Sequence, residues 1–261
     1  MKAYFDVFKR YKYLLGNLIS RDLKVKYRRS ALGFLWSILN PLLMMLVVST
    51  VFQHVMKVVS PDITDFAIFY LTGSLIFNFV SESTNLALPS IIMGAPLIKK
   101  VYIPKYIFPL EKILFSFVNM LFSLIALVIM LIVRQTPITW TVILFPIPLI
   151  YTLIFCIGLG LILATLNVFF RDVAHLYGVF ITAWMYLSPV IYSESLLPEQ
   201  IRPIMHFNPL YHFMTYFRNV VMNGVVPDLK ANLICISISV IFFVLGLVVF
   251  KKNQDKFILY I

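Results

Sequence analysis

The stretch SRDLKVKYRRSALGFLWSILNPLLMMLVVSTVFQHVM, residues 20–56, decides the fold class. Five basic side chains, Arg21, Lys24, Lys26, Arg28 and Arg29, crowd its first ten positions. Within seven residues of the last arginine the composition changes at Trp36, and from Ser37 to Val55 no side chain carries a formal charge. A basic flank, an interfacial aromatic and about 20 apolar residues describe a chain entering a bilayer from its cytoplasmic face.

The remaining composition agrees. The chain is 61% hydrophobic and 13% charged, where a soluble domain carries about a quarter charged residues. Its mean hydropathy is +0.93. A soluble fold cannot hide that much apolar surface, so lipid is part of its solvent. The polar, basic start does not read as a cleavable signal peptide. The formal charge of +11 lies at the flanks of apolar runs rather than on one soluble face, so it points to membrane orientation and to no nucleic-acid partner. Cys156 and Cys235 fall inside apolar runs, which suits neither a disulfide framework nor a metal site.

Hydropathy predicts an all-α integral membrane protein with six spans, at about 36–56, 66–88, 112–133, 142–169, 174–192 and 231–250. The whole of 1–261 reads as one membrane domain: a cytoplasmic or interfacial region over 1–35, a six-span bundle over 36–250 and a cytoplasmic tail over 251–261. Over 3–19, Tyr4, Phe8, Tyr11, Leu15 and Leu18 recur at steps of three and four, which predicts an amphipathic helix lying in the membrane interface. With the N-terminus cytoplasmic, seventeen Lys and Arg fall on the inner side and five on the outer side. That asymmetry orients both termini inward.

Two loops carry structure of their own. In the inner loop, residues 94–112, Pro96 opens and Pro104 closes one or two helical turns bearing Leu97, Ile98 and Val101 beside Lys99 and Lys100. This is a knob that docks on a partner, or a stiff connection between spans. In the outer loop, residues 193–230, Asn208 reads as a cap, Pro209 as the first helical residue and Gly224 as the stop. The helix between them is too short to span. With the segment before it, it forms a re-entrant pair of short helices at a pathway mouth, or a hairpin on the surface.

No catalytic constellation is present. None of the nine glycines precedes a lysine, so no phosphate-cradling loop of the ATPase type exists, and neither a metalloprotease helix nor a nucleophile elbow occurs. His206 and His212 flank a proline turn, but two histidines do not make a metal site. Glu82 lies inside the second span among Asn78, Ser81, Ser83, Thr84 and Asn85, as part of a packed polar cluster or of a water-filled cavity wall. Aromatic residues near 184–217 suit the C–H faces of sugar rings, and equally suit packing inside the bundle.

Four stretches together resemble the ABC-2 type permeases that export polysaccharides, the O-antigen, capsule and teichoic acid exporters. They are RDLKVKYRRSALGFLWSILNPL (21–42), PLIKKVYIPKYIFPLEKIL (96–114), NVFFRDVAHLYGVFITAWMYLSPVIY (167–192) and LPEQIRPIMHFNPLYHFMTYFRNVVMNG (197–224). They occur in the family's order and cover most of the chain. The resemblance implies a homodimer joined to two separate cytoplasmic ATPase subunits, which bind the ATP and magnesium, so that this chain needs no cofactor and is no enzyme. It implies a coupling helix at about 97–103 (Leu97, Ile98, Lys99, Lys100, Val101, Tyr102). It also implies a channel between protomers lined or gated by Trp36, Asn40, Trp184, Tyr186, Tyr192, Phe207, Tyr211 and Phe213. Tyr211 and His212 stand where smaller residues are common. The usual cargo is a glycan on a polyprenyl pyrophosphate, moved across the bacterial cytoplasmic membrane. Arg28 and Arg29 are candidates to meet that pyrophosphate, or to bind anionic lipid headgroups. The same architecture exporting a small drug or lipid, a membrane-bound glycan-modifying enzyme, and an anchor that only holds an ATPase are the competing readings.

Overall fold

The computed structural model describes residues 2–28, 30–56, 60, 63–200 and 202–260, with side chains described from Tyr11 onward. All regular structure among them is helical. The expected N-terminal helix is longer than its apolar periodicity suggests: α1 runs over Lys2–Lys26. No proline or turn signal interrupts 20–26, and Lys24 and Lys26 in its last turn complement the helix dipole. A short 3-10 turn over Gly33–Leu35 leads into α2, Trp36–Ser49. Gly33, at φ +49°, opens that turn. Pro41 sits inside α2, where it removes the amide that would bond the Ser37 carbonyl. Ser123 of a neighbouring helix supplies the missing donor to that carbonyl, at 2.9 Å. A π-helical turn, Thr50–Val55, follows.

Helix α3, Phe66–Ala87, starts at Asp65, whose side chain accepts from the amides of Ala67 and Ile68. It is the central helix, packed against α2, α6, α7 and α10 (ranges below), and most of its residues are buried. Two single turns follow, α4 (Ser90–Met93) and α5 (Ala95–Ile98). The remaining long helices are α6 (Ile107–Val133), α7 (Pro146–Phe169) and α11 (Leu229–Asn253). Between α7 and α11 lie α8 (Val173–Tyr186), the single turn α9 (Arg202–Met205) and α10 (Pro209–Val221).

Helices α7 and α11 meet backbone to backbone. A Cβ on Gly158 would come 2.2 Å from the Phe242 carbonyl oxygen, and one on Gly246 2.3 Å from the Gly158 carbonyl oxygen. Close approach through small residues is how helices associate where lipid removes the hydrophobic drive.

Among the described residues, five helical stretches are long and apolar enough to cross a membrane. The expected fifth span, 174–192, is the exception: α8 has 14 residues, about 21 Å, short of a hydrocarbon core of about 30 Å. Pro189 disfavours helix at Ser188, and the chain turns over 187–190 instead. Leu15 of α1, Ile103 and Ile107 around the inner loop, and Phe250 and Phe257 of the C-terminal segment share one apolar cluster. Both ends of the chain and the 94–112 loop are therefore at the same end of the bundle.

Candidate functional site

Helices α2, α3 and α6 enclose a cavity of about 790 Å³, bounded on a fourth side by Met185, Val190 and Ile191. Its wall is unusually polar for a bundle of apolar helices. Glu82 of α3 accepts from Lys26 Nζ at 2.7 Å and from Asn119 Nδ2 at 3.1 Å. Asn119 Oδ1 accepts from Tyr27 at 2.8 Å and from Ser37 at 3.2 Å. The two readings of Glu82 thus merge: it belongs to a hydrogen-bonded cluster, and that cluster is the cavity wall. The network ties the end of α1 to three helices. Lys26 and Glu82 side chains are each about one-third exposed, so their pair is screened and contributes modestly, about 0.2–1 kcal/mol.

Asn40 and Asn78 line the same space from α2 and α3. Both are exposed, and neither makes a side-chain hydrogen bond among the described residues. An amide facing lipid without a partner is costly. These two side chains instead face the cavity. Trp36 also lines the cavity.

The other expected channel and gate residues separate. Phe213 is fully buried and packs on Phe155, near the middle of α7, with ring centroids 5.6 Å apart. It is core, not channel lining. Trp184 is also buried; its indole Nε1 donates to Asn208 Oδ1 at 2.9 Å. That bond anchors the start of α10, so Trp184 positions the short helix rather than facing a passage. Tyr186 and Phe207 are exposed, and the Tyr192 hydroxyl donates to the Tyr186 carbonyl at 2.7 Å. The Tyr211 hydroxyl donates to Glu194. Eight of the thirteen residues of α10 are buried, and Phe213 packs on Phe155, so α10 is set into the bundle rather than lying on its surface.

The inner knob is one helical turn, displaced from the expected 97–103. Pro96 occupies its first turn, and Lys99 and Val101 close it through amide bonds to the carbonyls of Ala95 and Leu97. Leu97 and Ile98 pack against the apolar cluster at this end. Lys99, Lys100, Val101 and Tyr102 are exposed, Tyr102 at 89%. Nearby, Lys112 of α6 holds Asp22 of α1, which Arg21 also contacts at 2.8 Å. Partial burial pushes the Asp22 pKa up, but Lys112 and Arg21 outweigh it and leave the carboxyl below its ordinary value. Arg28 is exposed just beyond α1. Arg29 lies outside the described residues.

His212 Nε2 donates to the His206 carbonyl at 2.8 Å. Among the described residues no cluster of three or more His, Cys, Asp or Glu side chains is placed to hold a metal ion. Three features were not read from the sequence. They are the Lys26–Glu82–Asn119 network, whose members lie 56 and 37 residues apart, the exposure of Asn78, and the burial of Arg218.

Comparison with known proteins places this geometry in a family. Residues 13–222 match the model of the ABC-2 type transporter membrane proteins. An O-antigen export system permease protein RfbA of Klebsiella pneumoniae is 32% identical over 257 residues, covering 94% of this chain and 96% of the relative. One from Myxococcus xanthus is 33% identical over 250 residues, covering 95% of each. The polysialic acid transport protein KpsM of Escherichia coli is 23% identical, covering 94% and 95% respectively.

Proposed function

The chain belongs to the ABC-2 type transporters, and on that premise we propose that it is the permease subunit of an ATP-driven exporter that carries a polysaccharide across the cytoplasmic membrane of a bacterium. The observation that carries this is the polar cavity along α2, α3 and α6, into which Asn40 and Asn78 turn unpartnered amides. Amides without charge, set beside Ser74 and Ser81 and an aromatic ring at Trp36, suit a chain of hydroxyls moving past. The similar O-antigen and polysialic acid proteins, matched over nearly their full length, support the same cargo class.

In this reading two copies of the chain form the conduit. Exposed apolar side chains on α2 and α8, such as Leu46, Val47, Leu176 and Val179, supply surface for the second copy as well as for lipid. Both termini are cytoplasmic. Two separate ATPase subunits bind ATP and magnesium, and they engage the exposed segment around Lys99–Tyr102. Their closure moves that segment as a rigid body with α6 and so shifts the cavity wall. The glycan arrives on a polyprenyl pyrophosphate, whose charge Arg28 and Arg29 meet.

The test is Asn40→Leu combined with Asn78→Leu, followed by export of a labelled lipid-linked glycan in cells. Leucine preserves bulk and suits lipid, so insertion is expected to be normal and export to fall at least tenfold. Unchanged export with normal insertion removes the cavity from the transport path.

A further inference from the structure

At the end of the bundle opposite the termini, a second cavity of about 220 Å³ lies between the segment before α3, the 189–194 turn and α10. Arg218 lines it and is only 7% exposed. Its guanidinium lies over the Phe69 ring, 3.5 Å from the centroid. One nitrogen, Nη2, donates to the carbonyls of Phe69 at 3.1 Å and Val190 at 3.4 Å. Nε has no hydrogen-bond partner, and no carboxylate pairs with this side chain among the described residues. The space is built for the guanidinium: a Cβ on Gly73 would come 2.5 Å from Nη2.

Glu194 lines the same cavity without meeting Arg218. Its carboxylate accepts from the Tyr211 hydroxyl and lies 3.6 Å from His206 Nε2. Opposite charges that share a cavity attract, and ones that do not touch leave a place between them. A buried guanidinium with no counter-charge among the described residues is a costly arrangement that an oxyanion relieves, and guanidinium binds carboxylate or phosphate through paired donors. A bare anion would also confront Glu194. A ligand with an oxyanion at one end and hydroxyls at the other satisfies both. Thr215 and Asn219, half-buried on the same wall, add neutral polar contacts. The volume is below the roughly 300–1,000 Å³ of drug-sized pockets and suits a single pyranose ring.

We infer that this cavity is a binding site for one sugar unit bearing an oxyanion, with the anionic group on Arg218 and ring hydroxyls on Glu194. That the ligand is part of an exported glycan rests on the transport reading above; the site itself does not.

The experiment is a ligand-observed NMR titration of the full-length protein in lipid nanodiscs with sodium glucuronate, glucose and inorganic phosphate. Glucuronate is expected to bind saturably, with glucose and phosphate each at least tenfold weaker. Arg218→Gln is expected to abolish glucuronate binding. Asn219→Leu, at a half-buried wall position that leaves the core intact, is expected to weaken it at least fivefold and keeps the test decisive if the arginine variant does not fold. Absence of saturable glucuronate binding, equal binding of glucose or phosphate, or an Asn219→Leu variant indistinguishable from wild type overturns the site. Loss of the site with glycan export intact leaves the transport reading standing, and export failure with glucuronate binding intact does the reverse.

Discussion

Two proline-bounded loops in this protein have similar punctuation and opposite fates. The 94–112 loop forms one turn, α5, and then offers Val101 at 52% and Tyr102 at 89% exposure. The 193–230 loop forms α10 and buries Phe213 and Phe217 almost completely. Both carry apolar side chains on a short helix, which is not stable alone. The difference is in who covers them. The α10 face is covered by α3 and α7 of the same chain. The tip of the α5 loop keeps its aromatic side chain in the open, as a surface shaped for another molecule would. A buried short helix contributes to the stability of the bundle, whereas in the proposed function the exposed Val101 and Tyr102 contribute to assembly.

The sharpest way to break this contrast is a pair of alanine substitutions. Phe213→Ala removes a fully buried ring and is expected to destabilise the protein by about 3 kcal/mol or more, read as a loss of thermal stability in detergent. Tyr102→Ala is expected to leave that transition unchanged while weakening co-purification of the ATPase subunit. Equal destabilisation by both would mean that the inner loop, too, is held by its own bundle. Next in size is Asn208→Ala. Asn208 caps α10 through the Leu210 amide at 3.0 Å, accepts from Trp184 and donates to Ser188 at 2.9 Å. Loss of the cap alone is worth about 1 kcal/mol, and the stranded indole adds to it. The expected result is lower stability and a changed environment of Trp184, measured by its fluorescence.

The smallest effect concerns pH at the inner end. The Asp22 pKa is depressed in the folded protein, so its contribution to holding α1 on α6 is present above the unfolded carboxylate value. It is lost as pH falls through the folded value. Hydrogen exchange of the α1 amides is expected to be flat from pH 7 down to about 5, after correction for intrinsic rates, and protection to fall only under stronger acid. Asp22→Asn is expected to remove that acid dependence. A protection loss centred near neutral pH would assign the tie to some other group.

Much of this architecture was legible in one dimension. Residues 20–56 carry their own membrane signature because charge and hydropathy are local properties of a chain. The cap at Asn208 and the stop at Gly224 are legible for the same reason: each acts on its own backbone. The short α8 was overestimated because apolar composition continues past the point where Pro189 turns the backbone. The inner turn was placed late because Pro96 is tolerated anywhere in a first turn.

Which aromatic side chains face a passage was not legible. Phe213 and Trp184 belong to the core, while Asn40 and Asn78 face the cavity, and all four share the same apolar-run context. Arg218 illustrates the limit. In sequence it is one more charge in a loop; in the fold it is a buried cation on Phe69, in a space that Gly73 leaves open. Sequence alone determined that this chain enters the bilayer and roughly where its long apolar helices lie, because those depend on each residue's contact with solvent and on its neighbours a turn away. Tertiary structure alone decided which polar groups find partners and which are left facing a cavity, because that depends on side chains that the chain brings together from far apart.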